Sequence, residues 1–99
     1  MSTRTSGALL KVLATFMDGP SEERYGLELI RATRLKSGTL YPLLERLEAA
    51  GWLASRWDEP GQSHSGGPRR RFYRLTGEGI ARAQETLVEY SRAGSEAWA

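Results

Sequence analysis

The apolar residues of the chain change their spacing twice, and this change limits the folds that the chain can adopt. Up to Gly51 they recur every three to four residues, as they do on one face of a helix. From Trp52 to Leu75 they alternate with other residues, as in a strand with one buried face. After Thr76 the helical spacing returns. The pattern predicts three helices, a β-hairpin and a final helix, in that order.

Short turn signals divide the first part of the chain into three helices. The first begins near Ser6 and stops at the turn sequence DGP. Ser21 is the expected N-cap of the second, because Glu22 and Glu23 behind it suit the positive end of a helix dipole. The third carries SGTLYPLLERLEAA, with leucines at helical spacing, and Gly51 is its expected C′ residue.

The start of the third helix is constrained by Pro42. Proline inside a helix removes a hydrogen bond and clashes with the preceding turn, at a cost of about 3 kcal/mol. With Thr39 as the N-cap, Pro42 lies in the first turn, where its missing N–H has no helical partner to lose. With Ser37 as the cap, the carbonyl of Gly38 loses a partner. The later start, with Thr39 as the cap, is favoured.

Two alternating runs predict the strands of the hairpin. WLASRWDE places Leu53, Ser55 and Trp57 on one face, and RRRFYRLT follows with the same alternation. The intervening PGQSHSGGP is typical of an exposed turn. Thr76 can cap the final helix, which is expected to reach about residue 93. The order α-α-α-β-β-α is mainly α with a small β-hairpin, and it is the plan of a winged helix-turn-helix.

The front of the third helix is a candidate anion site, because its residues are small, hydroxylated or basic. Helix N-termini bind phosphates through their open amide N–H groups. Glu45 and Glu48, further along the helix, would repel a phosphate backbone, so we expect contact through the end of the helix. An ordinary capped core helix is the alternative. The candidate contacts are Lys36, Ser37, Gly38, Thr39, Tyr41 and Pro42.

Positive charge is concentrated in the hairpin. The run RRRFYR carries four guanidinium groups within six residues, and no acidic residue lies between positions 60 and 76. Phosphate contacts supply most of the affinity in nucleic-acid binding. A solvated strand face is the alternative, but a basic hairpin and an open helix front belong on the same surface of a winged helix. We therefore predict DNA contacts at Arg69, Arg70 and Arg71.

Three segments resemble the PadR family of bacterial transcriptional regulators: YGLELI, SGTLYPLLERLEAAGWL and RRRFYRLTGEG. The resemblance covers most of residues 7–92. It implies a homodimer that binds an inverted-repeat operator in double-stranded DNA, usually as a repressor. By position, residues 37–41 fall on the recognition-helix motif and residues 70–76 on the second strand of the wing.

The resemblance also implies how the chain is organised. Residues 1–76 would form the winged helix-turn-helix DNA-binding domain and residues 77–99 a C-terminal dimerisation helix, within one structural unit. The short C-terminus is similar to that of small family members, some of which hold flat aromatic compounds at the dimer interface. Tyr90 and Trp98 could stack on such an effector, or serve in plain dimer packing and in a frayed tail respectively. The expected dimer contacts are Ile80, Ala83, Leu87 and Tyr90.

Several other classes of protein are excluded. The chain has no cysteine, which excludes disulfides and thiolate zinc sites, and a single histidine leaves little for metal or acid/base chemistry. TGEGIAR is not a dinucleotide fingerprint, because Arg82 occupies its third glycine position. His64 lies between two serines without an orienting carboxylate. We predict no enzymatic activity, no metal and no cofactor.

The remaining alternative is a winged helix that binds another protein and not DNA. Such a module would show an apolar or acidic patch where this chain carries Arg69, Arg70 and Arg71. No run approaches the roughly 18 to 20 apolar residues of a membrane span, and the first residues lack the apolar region of a signal peptide. A cytoplasmic protein without membrane contact is expected.

Overall fold

The computed structural model describes residues 6–58 and 70–97. Their order confirms the mainly α winged helix-turn-helix, with one additional strand. Two predicted site residues, Arg69 and Trp98, lie outside the described residues. The elements are α1 (Gly7–Met17), β1 (Arg24–Tyr25), α2 (Gly26–Thr33), α3 (Ser37–Ala49), β2 (Leu53–Trp57), β3 (Arg71–Leu75) and α4 (Gly77–Ala97).

The sheet has three strands in the order β1-β3-β2, so the predicted two-stranded hairpin was incomplete. The hairpin itself is confirmed, with antiparallel register from Leu53 opposite Leu75 to Trp57 opposite Arg71. The short strand β1 pairs antiparallel with β3 on its other side. It therefore ties the segment before α2 to the hairpin.

The predicted start of the second helix at Ser21 was wrong. The chain is extended through β1 before α2 begins at Gly26. The N-cap is Tyr25, whose N–H donates to the Glu28 carboxylate at 3.0 Å. Two acidic residues after a serine are thus an insufficient signal here, since β1 takes the segment that a longer helix would have used.

The favoured start of the third helix was also wrong. Lys36 is the N-cap and α3 begins at Ser37, which places Pro42 beyond the first turn. The N–H groups of Thr39 and Leu40 both donate to the Lys36 carbonyl at 2.9 Å. Since proline has no N–H, the carbonyl of Gly38 loses the helical partner it would otherwise have.

The end of α3 follows the prediction. Gly51 has a φ of +85°, the left-handed conformation expected of a C′ residue. Its N–H donates to the Glu48 carbonyl at 3.0 Å, and the Trp52 N–H donates to the Leu47 carbonyl at 2.9 Å. These two bonds form a Schellman motif, which satisfies carbonyls at the end of the helix and turns the chain into β2.

The core lies between α1, the leucine face of α3, the inner face of the sheet and the first half of α4. The fully buried residues of α3 share one helix face, which leaves the opposite face and the front of the helix to solvent. No helix within residues 6–58 and 70–97 is long and apolar enough to cross a membrane. The largest fully buried side chains are Leu9, Val12, Leu13, Phe16, Leu29, Leu40, Leu44 and Leu47.

The start of α4 is fixed by Thr76, as predicted. Its Oγ1 accepts a hydrogen bond from the Gly79 N–H at 2.9 Å and donates one to the Gly51 carbonyl at 2.6 Å. A β-carbon at Gly79 would overlap the carbonyl oxygen of Trp52. The hydroxyl and the glycine together hold the first turn of α4 against the end of α3.

Candidate nucleic-acid interface

The front of α3 is open to solvent. Lys36, Ser37, Gly38 and Thr39 are all exposed, and a β-carbon at Gly38 would meet nothing within 4 Å. No side chain caps the helix. The first N–H groups of a helix have no intrahelical acceptor, and here no side chain takes that role. The result is a small, basic surface whose amide donors at Ser37 and Gly38 have no acceptor among the described residues.

Tyr41 and Pro42 extend this surface along the helix. Both are exposed, and 41% of Tyr41 is accessible. The phenol of Tyr41 lies against Gly26, at the first position of α2, where a β-carbon would collide with the hydroxyl oxygen. The ring therefore lies at the junction of α2 and α3 and remains partly accessible.

Arg70 lies just before β3, at the outer end of the wing, on the outer face of the sheet. Its guanidinium carbon lies 4.8 Å from the centroid of the Tyr25 ring, a distance typical of a cation–π contact. Tyr25 immediately precedes Gly26, which Tyr41 contacts. The wing and α3 therefore meet through two consecutive residues, Tyr25 of β1 and Gly26 of α2.

The same outer face carries an ion pair. Arg56 donates twice to the Glu23 carboxylate, at 2.7 Å for each bond, and its guanidinium carbon lies 4.9 Å from the Phe72 ring centroid. The hydrogen bond from Arg56 lowers the pKa of Glu23 below its usual value. Phe72 in turn packs edge-on against Tyr25, with ring centroids 5.8 Å apart. These contacts fasten β1 to β2 across β3.

Arg71 points the other way, onto the inner face of the sheet and back toward α3. Its Nη2 donates to the Glu48 carboxylate at 2.9 Å, and its Nε donates to the Ser55 hydroxyl at 3.1 Å. Ser55 itself donates to Glu48 at 2.6 Å. Trp57 and Tyr73 flank the guanidinium, with ring centroids 5.4 and 5.6 Å from its carbon. Sequence analysis assigned Glu48 no partner, and this contact gives it one.

Tyr73 lies beneath this cluster and is almost fully buried. Burial raises the pKa of its phenol above the usual value, because a buried phenolate lacks the solvation that water provides. The Arg71 side chain therefore packs against a neutral, buried ring.

The residues predicted to form a dimer contact differ in how much of their surface is exposed. Ala83 is fully buried against the core of its own chain, which leaves it no surface for a partner. Ile80 and Leu87 pack partly against the same core. Tyr90 is 59% exposed, and its neighbour Val88 is 51% exposed. The exposed apolar surface of α4 thus lies in the later part of the helix.

Comparisons with known proteins agree with this architecture. The sequence model of the transcriptional regulator PadR-like family matches residues 12–85. A PadR family transcriptional regulator from Eggerthella lenta superposes with a TM-score of 0.73 at 29% identity, over 92% of this chain and 79% of that one. A PadR-like transcription factor from Bacteroides fragilis gives 0.70 at 27% identity, over 92% and 88% of the two chains.

A third solved structure, a PadR family transcription regulator from Clostridium difficile, gives a TM-score of 0.68 at 29% identity, over 90% of this chain and 88% of that one. No curated protein matches the sequence significantly. The family match spans about three quarters of the chain and includes α2, α3 and both strands of the wing. The chain therefore belongs to the PadR-like family of transcriptional regulators, whose members are transcription factors and not enzymes.

Proposed function

We propose that the chain binds DNA sequence-specifically as a homodimer and acts as a repressor. The observation that carries this proposal is the uncapped, exposed front of α3, with small residues at Ser37 and Gly38 and a lysine beside them. The front of the helix can enter a major groove because no bulky side chain blocks it. Its free N–H groups and Lys36 supply the donors and charge that phosphates require.

Contact is made through the first turns of α3 and not along its length. Glu45 is exposed on the helix behind the front, and a helix lying flat would bring its carboxylate against the phosphates. An end-on approach keeps this charge away from the backbone. Thr39 and Tyr41, both exposed, are then the side chains nearest to the base edges, while Arg70 reaches the flanking phosphates from the wing.

The proposed dimer forms through the later part of α4. Val88 and Tyr90 are large, apolar and exposed, and burying them against a second subunit removes that surface from water. A twofold dimer would place two copies of α3 in successive major grooves, roughly 34 to 36 Å apart. An inverted-repeat operator matches this symmetry.

Release from DNA by a flat aromatic effector is part of the same proposal. More than half of Tyr90 is accessible, so its ring is available for stacking at a dimer interface. An effector bound there would act on the separation of the two recognition helices through α4. Its binding would appear as a loss of operator affinity on addition of an aromatic compound from a panel.

The test of DNA binding is the salt dependence of affinity for duplex DNA. Fluorescence anisotropy with a random duplex should show affinity falling steeply between about 50 and 200 mM salt, as phosphate neutralisation requires. Selection from a random DNA pool should then return an inverted repeat. Flat salt dependence, or no binding at micromolar protein, would favour the alternative of a protein-binding module.

A further inference from the structure

We propose that Arg71 is a positioning residue, which holds the wing against the recognition helix and makes no phosphate contact. The inference rests on the proposed function, since it concerns how DNA is bound. The cluster of Arg71, Ser55 and Glu48 is named here the wing strut. It joins β3, β2 and α3 through four hydrogen bonds between 2.6 and 3.1 Å long.

Two of the three guanidinium nitrogens of Arg71, Nε and Nη2, are already engaged within the protein. Its Nη2 is shared between Glu48 and Ser55, and its Nε donates to Ser55 as well. Trp57 and Tyr73 flank the guanidinium. A phosphate contact through Nε or Nη2 would require Arg71 to leave the carboxylate or the serine hydroxyl. Because Glu48 already neutralises it, the pair as a unit would release no counterion from DNA.

The position of the strut explains why the wing needs it. Trp57 and Arg71 form the outermost pair of the register, whereas Thr76 and Trp52 fix the inner end through a 3.0 Å backbone hydrogen bond. An isolated pair of short strands is only marginally stable in water, and β1 pairs with just two residues of β3. The strut therefore ties the outer half of the wing to α3, on the face opposite the contacts of Arg56 and Arg70.

The other end of the strut is on the recognition helix itself. Glu48 follows Ser37 by eleven residues of α3, so it lies roughly 16 Å behind the helix front. The strut thus fixes the position of the wing relative to α3, the helix that is proposed to enter the major groove. Any change in the angle between α3 and the hairpin must stretch the contact between Glu48 and Arg71.

Arg70, immediately before β3, provides the contrast. It lies on the opposite face, stacks on Tyr25, and forms no ion pair with any residue that the structure describes. Its charge is therefore available to a phosphate. The two adjacent arginines therefore have different roles. Arg70 supplies a charge for phosphate, and Arg71 holds the wing in position against α3.

The sharpest test compares two substitutions that remove the same charge from the same helix, Glu48→Gln and Glu45→Gln. Glu45 is exposed and forms no ion pair in the described part of the chain. If the strut positions the wing, Glu48→Gln weakens binding to a selected operator about two- to fivefold, the change expected for an ion pair of this exposure. Glu45→Gln leaves affinity unchanged or raises it.

The rival reading gives the opposite sign. If Arg71 contacts phosphate, Glu48→Gln frees its charge and raises affinity, which would overturn the proposal.

The dependence of affinity on salt concentration gives a second criterion. Arg70→Gln should reduce the slope of log K against log salt by about 0.9, whereas Arg71→Gln should lower affinity at every salt concentration with the slope unchanged. A reduced slope for Arg71→Gln contradicts the proposal. Arg71→Lys, which keeps the charge, should bind no better than Arg71→Gln.

The strut can also be measured without DNA. The Asp58 N–H donates to the Arg70 carbonyl at 2.7 Å, next to the outermost pair of the wing. Amide exchange followed by NMR on the free protein should be faster at Asp58 in Glu48→Gln and Arg71→Gln, and unchanged in Glu45→Gln. If exchange responds in this way but the wild type binds no DNA, the strut stands and the proposed function fails. If exchange is unchanged in all three, the strut itself is refuted.

Discussion

The phenol of Tyr41 occupies the space that a β-carbon at Gly26 would need. Gly26→Ala should therefore displace the exposed phenol and lower the free energy of unfolding by about 1 kcal/mol or less. The same change in a Tyr41→Ala background should be neutral or slightly stabilising, because alanine favours a helix over glycine. Urea unfolding of the four proteins gives the coupling. Additive effects would show that the two residues do not compete for space.

Gly79 and Gly77 provide a matched pair in the first turn of α4. A β-carbon at Gly79 would overlap the Trp52 carbonyl oxygen, whereas one at Gly77 meets nothing within 4 Å. Backbone cannot swing aside as a side chain does, so Gly79→Ala should cost about 1 to 3 kcal/mol. Gly77→Ala should be neutral or stabilise by up to about 1 kcal/mol. Thermal unfolding distinguishes them, and equal melting temperatures would contradict the close approach.

The ion pair between Glu23 and Arg56 predicts a pH dependence of stability. The hydrogen bond from Arg56 lowers the folded-state pKa of Glu23 below the usual value of a glutamate, which the unfolded chain retains. The unfolded chain therefore binds the proton more readily, so the stabilisation is full above the unfolded pKa and is lost as pH falls through the folded pKa. We expect wild type to be more stable than Glu23→Gln at pH 7 in urea titrations, with the difference shrinking as pH falls through the folded-state pKa of Glu23. A difference independent of pH would mean that the Glu23 charge contributes nothing.

The proposed dimer is tested at Val88. This side chain is 51% exposed within its own chain, so Val88→Asp should leave the subunit folded. In a dimer the same change buries an unpaired charge, and light scattering should report monomers. Leu87→Asp is the less informative variant, because Leu87 also packs against the core. A dimer that survives Val88→Asp would place the interface elsewhere.

Affinity and specificity should separate between the wing and the helix front. Arg70→Ala should weaken binding to every duplex, since its charge is available to phosphate. Thr39→Ala should change which sequences are selected from a random pool, because Thr39 lies exposed on the front of α3. Identical selection profiles for wild type and Thr39→Ala would remove Thr39 from the base-reading residues.

Local spacing predicts much of this fold. The alternation that places Arg71, Tyr73 and Leu75 on one strand face is confirmed by the burial of Tyr73 and Leu75. The cap at Thr76 and the left-handed Gly51 also follow from residue type. These features depend on interactions within a few residues, which is the range that sequence patterns describe.

The features that sequence analysis missed depend on distant partners. β1 is two residues long, so it has no period of its own and exists only because β3 accepts it. Glu48 and Arg71 meet across 23 positions of sequence. The alternation did place Arg71 on the same strand face as two buried residues, Tyr73 and Leu75. From this pattern, the contact of Arg71 with α3 could have been predicted. The start of α3 at Ser37 was missed because the helix tolerates the bond that Pro42 cannot make.

The hydroxyl of Thr76 has a consequence for how the molecule unfolds. It accepts from the first turn of α4 and donates to the carbonyl of Gly51, one residue beyond the C-cap of α3. Because both hydrogen bonds meet at this one hydroxyl, fraying at the start of α4 or at the end of α3 disturbs the contact made with the other helix. The two helices should behave as one cooperative unit, with a common opening free energy at their adjoining ends. The adjoining ends of α4, the proposed dimerisation helix, and of α3, the proposed DNA-reading helix, would then unfold together.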